Sequence, residues 1–475
     1  MHVHESETAP GGSNDQGGEK GFQKADTPDP PERAPTRRGR RVRRVLAVLA
    51  ALVVVAGAPL LHRIADAVRG APIEQLQMAR ALPAPTDPAF AELVAVLSDV
   101  SLTTSTRLEI LSDAAVYDRL FEDLASARSS ITFFIYFCRP GRLGDRMTAA
   151  LVDAARRGVE VRFLGDGLGC GAYVDELRAP LAEAGGRAEA LRPIRWHTLH
   201  RAQHRNHARS VVVDGRVGYT GGFGLADTWL GHESAPPWRE TSVRLTGPQV
   251  AQLQSAFLTA WAEATATLAA NPALTMPERF DEAETPRPGS FEAVTTGLLV
   301  SRPGLGPTQA QRFLPPTLAG ARRTLYIANA YFVPTEPLRA LLLDAAARGV
   351  DVRVLLPGPD NDQPSTRWAG QLYFDELLSG GVRIWEYAPT MLHAKTLVVD
   401  GVWSTIGSLN LDPRSIRLNE EWSLIVHDAA VGTTMDSLFL ADLQRSRELT
   451  LEAHRARPLL ERLRELAVSL AVPVL

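Results

Sequence analysis

The sequence contains little cysteine and has no surplus of positive charge. Only Cys138 and Cys170 occur among 475 residues, which excludes a framework of several disulfides and a structural zinc site built from four cysteines. We therefore predict two buried thiols. The formal net charge is -3, whereas most non-specific DNA and RNA binders carry a basic surplus. No nucleic-acid partner is expected.

The composition is otherwise that of a globular protein. Hydrophobic residues make up 45% of the chain and charged residues 22%, both near the average for soluble domains. A chain of this length accommodates two or three domains.

The N-terminal segment differs from the rest in composition. Residues 1–44 are polar, rich in Gly and Pro, and end in the basic run RRGRRVRR, so we predict a disordered tail. Residues 45–61 are 17 residues without a charge, at the short end of a transmembrane helix. The basic flank favours a cytoplasmic N terminus and an extracytoplasmic remainder. A signal peptide cleaved near Ala56-Gly57-Ala58 and a buried core helix are the alternatives. We predict a single-pass anchor in the cell membrane, followed by a linker or helical segment over 62–99.

From about residue 100 the chain repeats itself. Tyr136-Phe137 recurs as Tyr331-Phe332, Gly158 as Gly349, and His207 as His393, at offsets of 195, 191 and 186 residues. Landmarks in the same order at nearly one offset indicate a duplicated α/β domain. In each copy continuous apolar strands alternate with amphipathic helices, which is typical of a sheet covered on both faces. Tyr331-Phe332 is interpreted as core packing. The predicted boundaries are 100–272 for the first domain, 273–290 for a Pro-rich linker, 291–455 for the second domain and 456–475 for a C-terminal helix or tail.

The phrases NHARSVVVDG and LHAKTLVVDG each predict a β-hairpin, because Asp-Gly follows a run of β-formers and a second such run comes after it. Residues i and i+2 of a strand share a face. His207 therefore projects with Arg209, and His393 with Lys395. An imidazole beside a cation suits a phosphate ester, since the cation holds the oxyanions while the imidazole attacks or transfers a proton.

Each hairpin is followed by a carboxylate. Glu240 comes 33 residues after His207, and Glu421 comes 28 residues after His393. A carboxylate on the far ring nitrogen fixes the tautomer and orientation of a catalytic histidine. We predict that each glutamate pairs with the histidine of its own copy.

Other polar and small residues complete the predicted site. Asp214 and Asp400 begin the Asp-Gly turns and are expected to support the site without reacting. Small residues that allow close approach, and side chains that donate to phosphate oxygens, form the predicted substrate-binding group: Gly221, Gly222, Gly407, Ser408 and Asn410. No compact cluster of metal ligands is apparent, so neither a metal nor another cofactor is expected.

The second phrase, HAKTLVVD followed by GSLN, resembles the His-x-Lys-x4-Asp-x6-Gly-Ser-x-Asn signature of the phospholipase D superfamily. NHARSVVVDGRVGYTGGFGLADTW resembles an altered first copy. Longer stretches such as ANAYFVPTEPL and GSLNLDPRSIRLNEEWSLIV are most similar to bacterial cardiolipin synthases, and the resemblance covers about residues 100–450. It implies two α/β/α sandwich domains that form a pseudo-dimer with one active site at their interface.

The resemblance also implies a reaction. One histidine, His207, forms a covalent phosphohistidine, and His393 acts as general acid and base without a metal. In a synthase the substrates are two phosphatidylglycerol molecules in the membrane, and the products are cardiolipin and glycerol. The sequence departs from the family pattern at Arg209, where the family has Lys, and at Gly224, where the family has Asn.

Other functions remain compatible with these motifs. A phospholipase D would let water resolve the same intermediate and release phosphatidic acid. A nuclease of the superfamily is disfavoured by the predicted anchor and by the charge. A catalytically weakened lipid-binding or scaffold protein would explain the two departures from the motif.

Overall fold

The computed structural model describes most of the chain after residue 81, and the described residues are 57, 82–196, 202–232, 235–269, 271–274, 287, 289–304 and 306–469. The predicted tail 1–44, the membrane segment 45–61 apart from Gly57, and most of the linker 273–290 lie outside these residues. Of the two compact units of the chain, Met1–Ala65 and Asp66–Leu475, the second contains every element given below. Within the described ranges, no helix combines the length and the apolar character needed to cross a membrane.

The described strands form one 15-stranded sheet made of two similar halves. The strands of the first half are β1 Leu102–Ser112, β2 Ser130–Ile135, β3 Glu160–Asp166, β4 Arg187–Leu191, β5 Ser210–Val213, β6 Val217–Gly221 and β7 Thr241–Thr246. Those of the second half are β8 Ser290–Ser301, β9 Thr324–Asn329, β10 Asp351–Pro357, β11 Arg383–Tyr387, β12 Lys395–Val399, β13 Trp403–Gly407, β14 Glu421–His427 and β15 Ser446–Leu449.

The strand order confirms the predicted duplication. It reads β4-β3-β2-β5-β6-β7-β1 in the first half and β11-β10-β9-β12-β13-β14-β8 in the second, with β15 added beside β11. The halves are joined where β1 pairs with β8 in antiparallel orientation. In each half three strands are parallel and are connected by helices, as the βαβ pattern predicted.

Helices cover both faces of the sheet. One of them, α1 Pro88–Ser98, precedes the first half in the chain but packs against the second half, where the ring of Phe90 lies 5.3 Å from that of Trp403. In the first half they are α2 Ala115–Ser126, α3 Arg142–Arg156, α4 Gly171–Glu183 and α5 Gln249–Thr265. In the second half they are α6 Gln309–Gly320, α7 Glu336–Ala347, α8 Pro364–Gln371, α9 Phe374–Ser379, α10 Pro413–Arg417, α11 Ala429–Leu443, α12 Leu451–Arg455 and α13 Leu459–Ser469. Each half has its own outer core, and a central core between them combines both halves with α5 and α11. The rings of Phe134 and Trp422 meet across this central core at 5.0 Å.

Both predicted hairpins are present, β5–β6 and β12–β13. Asp214 and Gly215 have φ values of 53° and 63°, and Asp400 and Gly401 have 54° and 67°. Positive φ at both central residues defines the turn that matches the twist of a hairpin, which explains why Asp-Gly occupies it twice.

The two turn aspartates also join the hairpin turns to the sheet through hydrogen bonds. The carboxylate of Asp214 accepts the N–H groups of Arg128, Ser129 and Ser130 at 2.7–2.9 Å. Asp400 repeats the arrangement with residues 322–324 at 2.7–3.0 Å. Both carboxylates therefore lie at the far end of the hairpin strands from the histidines, outside the cavity described below.

Candidate active site

His207 and His393 line one cavity of about 500 Å³. Each lies just before the first strand of its hairpin, β5 or β12, at the end remote from the Asp-Gly turn. Only 5% of His207 and 3% of His393 is exposed. Residues of both halves line the cavity, among them Tyr136, Arg139, Arg205, Trp229, Trp238, Tyr331, Asp362, Asn410 and Arg414. The structure thus brings the two repeated phrases to a single place.

The glutamates pair with the histidines across the two halves. Nδ1 of His207 lies 2.9 Å from a carboxylate oxygen of Glu421, and Nδ1 of His393 lies 2.6 Å from one of Glu240. The prediction that each glutamate serves the histidine of its own copy is therefore wrong.

Backbone hydrogen bonds explain the crossed pairing. The N–H of His207 donates to the carbonyl of Glu420, and the N–H of His393 donates to the carbonyl of Arg239, both at 2.8 Å. Each histidine is thus tied to the residue that precedes the glutamate of the other half. Because this contact joins residues more than 150 positions apart, spacing within one copy does not predict it.

A cation accompanies each imidazole, as strand alternation predicted. Nζ of Lys395 lies 3.0 and 3.1 Å from the two ring nitrogens of His393. A terminal nitrogen of Arg209 lies 3.3 Å from Nε2 of His207, and Nε of Arg209 donates to the carbonyl of Phe223 at 3.2 Å. Both cations are buried, so they act on the histidines with little screening by water.

Burial and these cations set the charge state of the site. Burial, then Arg209 and Lys395, hold the pKa of His207 well below its ordinary value. Burial, then Lys395 and Arg209, do the same to the pKa of His393. Burial also lowers the pKa of Lys395 to about 7. Both imidazoles are therefore neutral at neutral pH before an anion enters the cavity.

Burial has the opposite effect on the carboxylates, and it raises the pKa of Glu240 and of Glu421 to about 7. Glu421 receives a further hydrogen bond from Oγ of Ser408 at 2.5 Å. In the first half the corresponding position is Gly222, where a Cβ would lie 2.4 Å from an oxygen of Glu240.

The predicted substrate-binding residues therefore divide into two groups. Asn410 lines the cavity, and within the described part of the chain its Oδ1 has no hydrogen-bond partner. Ser408 is buried, is bonded to Glu421, and does not line the cavity. Gly221, Gly222 and Gly407 likewise do not line it. They permit close packing of neighbouring strands, since a Cβ on Gly407 would lie 2.4 Å from Cα of Ser423.

Trp229 occupies the space beside Gly224. Atoms of its indole ring lie 2.6–3.1 Å from the position that a Cβ of residue 224 would take. Trp229 comes from a short 3-10 helix, Asp227–Trp229, and its ring meets that of His393 nearly at right angles at 5.2 Å. The absence of a side chain at Gly224 thus leaves room for an aromatic wall beside His393.

Sequence reasoning missed most of the cavity wall. Trp229, Trp238 and Asp362 had no local signal. Tyr331 was interpreted as core packing, yet it lines the cavity together with its counterpart Tyr136. Their recurrence at one offset was a signal for a shared role in the site.

Cys138 and Cys170 form a disulfide, so the prediction of two buried thiols is wrong. Cys138 lies after β2 and Cys170 lies after β3, which is the neighbouring parallel strand. The ends of parallel neighbours meet at one edge of the sheet, and a separation of 32 residues does not reveal that meeting. The flanking residues Phe137, Arg139 and Gly169 line the cavity.

The described residues contain no group of three or more His, Cys, Asp or Glu side chains placed to hold a metal ion. The polar groups that line the cavity are the two imidazoles, Arg209, and the arginines and polar side chains of the wall. Lys395 and the two glutamates contact the imidazoles without lining the cavity.

Comparison with known proteins places these features in a family. A family model described as "Cardiolipin synthase, PLD-like domain" matches residues 120–261 and 314–443, one segment in each half. The Major cardiolipin synthase ClsA of Bacillus subtilis is 31% identical over 377 residues, which cover 78% of this chain and 76% of that protein. Cardiolipin synthase A of Pseudomonas syringae pv. syringae is 33% identical over 393 residues, which cover 80% of this chain and 78% of that protein.

A solved structure shares the fold. The phosphatidylserine synthase of Haemophilus influenzae Rd KW20 superposes with a TM-score of 0.61 over 81% of this chain and 100% of that one, at 14% sequence identity. These matches confirm the resemblance predicted from the repeated motif and the duplicated α/β fold.

Proposed function

We infer the reaction from one premise: the chain belongs to the cardiolipin synthase family with PLD-like domains. We propose that it is a phosphatidyltransferase that converts two phosphatidylglycerol molecules into cardiolipin and glycerol. The observation that carries the proposal is the pair of buried histidines in one cavity, each beside a cation and bonded to the glutamate of the other half.

In the first step Nε2 of His207 attacks the phosphorus of one phosphatidylglycerol. Its Nδ1 is engaged by Glu421, which leaves Nε2 as the nucleophilic atom. The bond from phosphorus to the glycerol oxygen breaks, and that oxygen takes a proton from His393. The products are phosphatidyl-His207 and free glycerol.

In the second step a glycerol hydroxyl of another phosphatidylglycerol gives its proton to His393 and attacks the same phosphorus. The phosphorus–nitrogen bond breaks, cardiolipin leaves, and His207 is regenerated. Glu240 holds the ring of His393 through both steps and stabilises its protonated form.

The negative charge of the bound phosphate favours the protonated form of His393, which the reaction cycle requires. Burial, Lys395 and Arg209 hold the pKa of His393 down. A phosphate anion between these cations offsets their effect and raises the pKa of His393, so that the imidazole takes up the proton it later donates. Lys395, Arg209 and the amide of Asn410 then stabilise the oxyanions of the transition state.

The two departures from the family motif are compatible with catalysis. Arg209 keeps a permanent positive charge at hydrogen-bonding distance from His207. At Gly224 the indole of Trp229 fills the space of the missing side chain and helps to enclose His393.

We further propose that residues 45–61 anchor the enzyme in the membrane that contains its substrate, with the N terminus in the cytoplasm. The catalytic domains then lie outside the cytoplasm, where a disulfide such as Cys138–Cys170 forms and persists.

Lipid mass spectrometry on a cardiolipin-deficient bacterial host that expresses the chain tests the function. We expect cardiolipin with the wild type and none with His207→Ala or His393→Ala. His427→Ala is a matched control, because that imidazole bonds to the carbonyl of Pro85, away from the cavity, and it should keep the wild-type product. Accumulation of phosphatidic acid would instead identify a hydrolase. Lipid profiles equal to that of the empty host, with folded protein present, would favour the lipid-binding scaffold.

A further inference from the structure

Asp362 places an acidic group in a cavity that otherwise suits anions. It lies between β10 and α8, lines the cavity, and is exposed to it. Arg139, Arg205 and Arg414 line the same cavity. A carboxylate opposes the binding of phosphate, so its presence calls for a different ligand group.

Tyr331 holds Asp362 in place. The Tyr331 hydroxyl donates toward the carboxylate, with distances of 2.8 and 3.0 Å to its two oxygens. A carboxylate accepts about four hydrogen bonds, and one hydroxyl donor uses only part of that capacity. The backbone N–H of Asp362 itself uses another part. Because Asp362 is exposed and lines the cavity, the remaining capacity is available to a ligand there. The other acid of the cavity wall, Asp412, differs because it caps α10 by accepting the N–H of Ser415 at 2.7 Å.

The position of this pair relates it to one histidine. The ring of Tyr331 lies 6.2 Å from that of His393, and Nζ of Lys395 lies 5.7 Å from the centre of the Tyr331 ring. Asp362 therefore borders the His393 side of the cavity, where the proposed reaction protonates the departing glycerol and deprotonates the incoming one.

The first half has no comparable group among its described residues. Tyr136 is the counterpart of Tyr331, and Asp166 is the acid near it. Asp166 is fully buried and accepts the N–H groups of Leu168, Gly169 and Asn206 at 2.8–3.2 Å. The two sides of the cavity thus differ, and among the cavity-lining residues that the structure describes, the exposed carboxylate lies on the His393 side.

We propose that Asp362, oriented by Tyr331, binds the free hydroxyl groups of the glycerol headgroup and so selects glycerol as leaving group and acceptor. This rests on the proposed phosphatidyl transfer. Hydroxyl groups are uncharged, and a carboxylate accepts hydrogen bonds from them without forming an ion pair. An ammonium headgroup fits less well, because Arg209 and the arginines of the wall already place positive charges in the lining of the same cavity.

A competition between acceptors tests the proposal. Full-length protein in phosphatidylglycerol vesicles receives equal concentrations of deuterated glycerol and 1-butanol, and mass spectrometry follows the initial rates of both products. Deuterated phosphatidylglycerol and phosphatidylbutanol arise from one intermediate, so their ratio does not depend on the amount of active enzyme. We expect Asp362→Asn to lower the glycerol-to-butanol ratio roughly tenfold, the scale of one hydrogen bond to a charged group.

Two further variants sharpen the result. Tyr331→Phe removes the donor that orients the carboxylate and should lower the ratio in the same direction by a smaller factor. Asp360→Asn is the matched control, because Asp360 is exposed on the same loop but does not line the cavity, and it should leave the ratio at the wild-type value.

The outcomes separate the two proposals. If Asp362→Asn forms both products in the wild-type ratio, the role of Asp362 is refuted while phosphatidyl transfer stands. If ethanolamine, added as a third acceptor, outcompetes glycerol in the wild type and loses this advantage in Asp362→Asn, the carboxylate serves an ammonium group and the proposal is overturned. If the wild type forms no phosphatidyl alcohol at all, the transferase function fails, and the selection of glycerol fails with it.

Discussion

Nδ1 of His207 lies 2.9 Å from the carboxylate of Glu421, which follows it by 214 residues and belongs to the other half of the molecule. His393 makes the reciprocal contact with Glu240 at 2.6 Å. Neither half therefore contains an oriented histidine of its own. Because the carboxylate fixes the tautomer that exposes Nε2, both halves must dock before either imidazole is ready for catalysis.

A double-mutant cycle on stability tests the crossed pairing. Glu421→Gln and His207→Asn remove the two members of one contact, and we expect a coupling energy of about 0.5–3 kcal/mol, as for residues in direct contact. The cycle of Glu421→Gln with His393→Asn should give a smaller coupling, because no hydrogen bond joins that pair. Chemical denaturation of the four proteins of each cycle supplies the values. A larger coupling to His393 would contradict the arrangement described here.

The raised pKa of Glu421 predicts how the effect of Glu421→Gln on protein stability depends on pH. Burial raises this pKa to about 7, whereas an unfolded chain has a glutamate pKa near 4.3. Between these values the folded protein binds the proton more tightly, so the wild type loses stability as pH rises through that window. The Glu421→Gln variant has no titratable group at this position, so its stability does not fall through this effect.

The free energy of unfolding of Glu421→Gln should therefore improve relative to wild type between pH 4.3 and 7, by up to about 3 kcal/mol. Thermal unfolding at pH 5, 6, 7 and 8 measures the change. Glu92→Gln, on the exposed face of α1, is the control and should follow the wild type throughout. A constant difference between Glu421→Gln and wild type would show that Glu421 titrates normally.

Gly224 should not accept the asparagine that the family motif has there. A Cβ at this position would lie 2.6 Å from the ring of Trp229, and overpacking of this kind costs roughly 1–3 kcal/mol. We expect Gly224→Asn to lower both the melting temperature and the rate of cardiolipin formation. Trp229→Ala should cost less stability in the Gly224→Asn background than in the wild type, because there it also removes the clash.

Gly171→Asn is the matched control for this substitution, since nothing lies within 4 Å of a Cβ there. It should change stability by no more than about 0.5 kcal/mol, as surface substitutions generally do. If Gly224→Asn and Gly171→Asn changed stability equally, the indole of Trp229 would move aside at little cost. Trp229 would then not restrict the residue type at position 224.

Short sequence patterns predicted the parts of the site that are formed by residues close together in the chain. Asp-Gly after a run of β-formers specified both hairpins, and strand alternation placed Arg209 and Lys395 beside their histidines. The repeat offsets specified the duplication. The crossed glutamates, by contrast, depend on backbone contacts between segments that only the docking of two halves brings together.

The residues of the cavity wall could not be predicted from the sequence for a related reason. Trp229 and Asp362 lie outside the regular strands, where no periodicity marks a side chain as facing a cavity. Ser408 has the residue type of a phosphate ligand, yet its hydroxyl is used to hold Glu421. Residue type alone does not distinguish these roles.

The disulfide between Cys138 and Cys170 should stabilise the first half and the cavity wall beside it. Closing a loop of 32 residues stabilises a fold by about 3–4 kcal/mol in the chain-entropy model. We therefore expect dithiothreitol to lower the melting temperature of the wild type but not that of Cys138→Ala/Cys170→Ala, which should already melt at the lower value. Thiol titration of the unreduced, denatured wild type should find no free cysteine. Two titratable thiols, or a double variant that melts with the wild type, would show that the cysteines are unlinked. The bond joins the loops that present Phe137, Arg139 and Gly169 to the cavity, so its reduction should also slow cardiolipin formation.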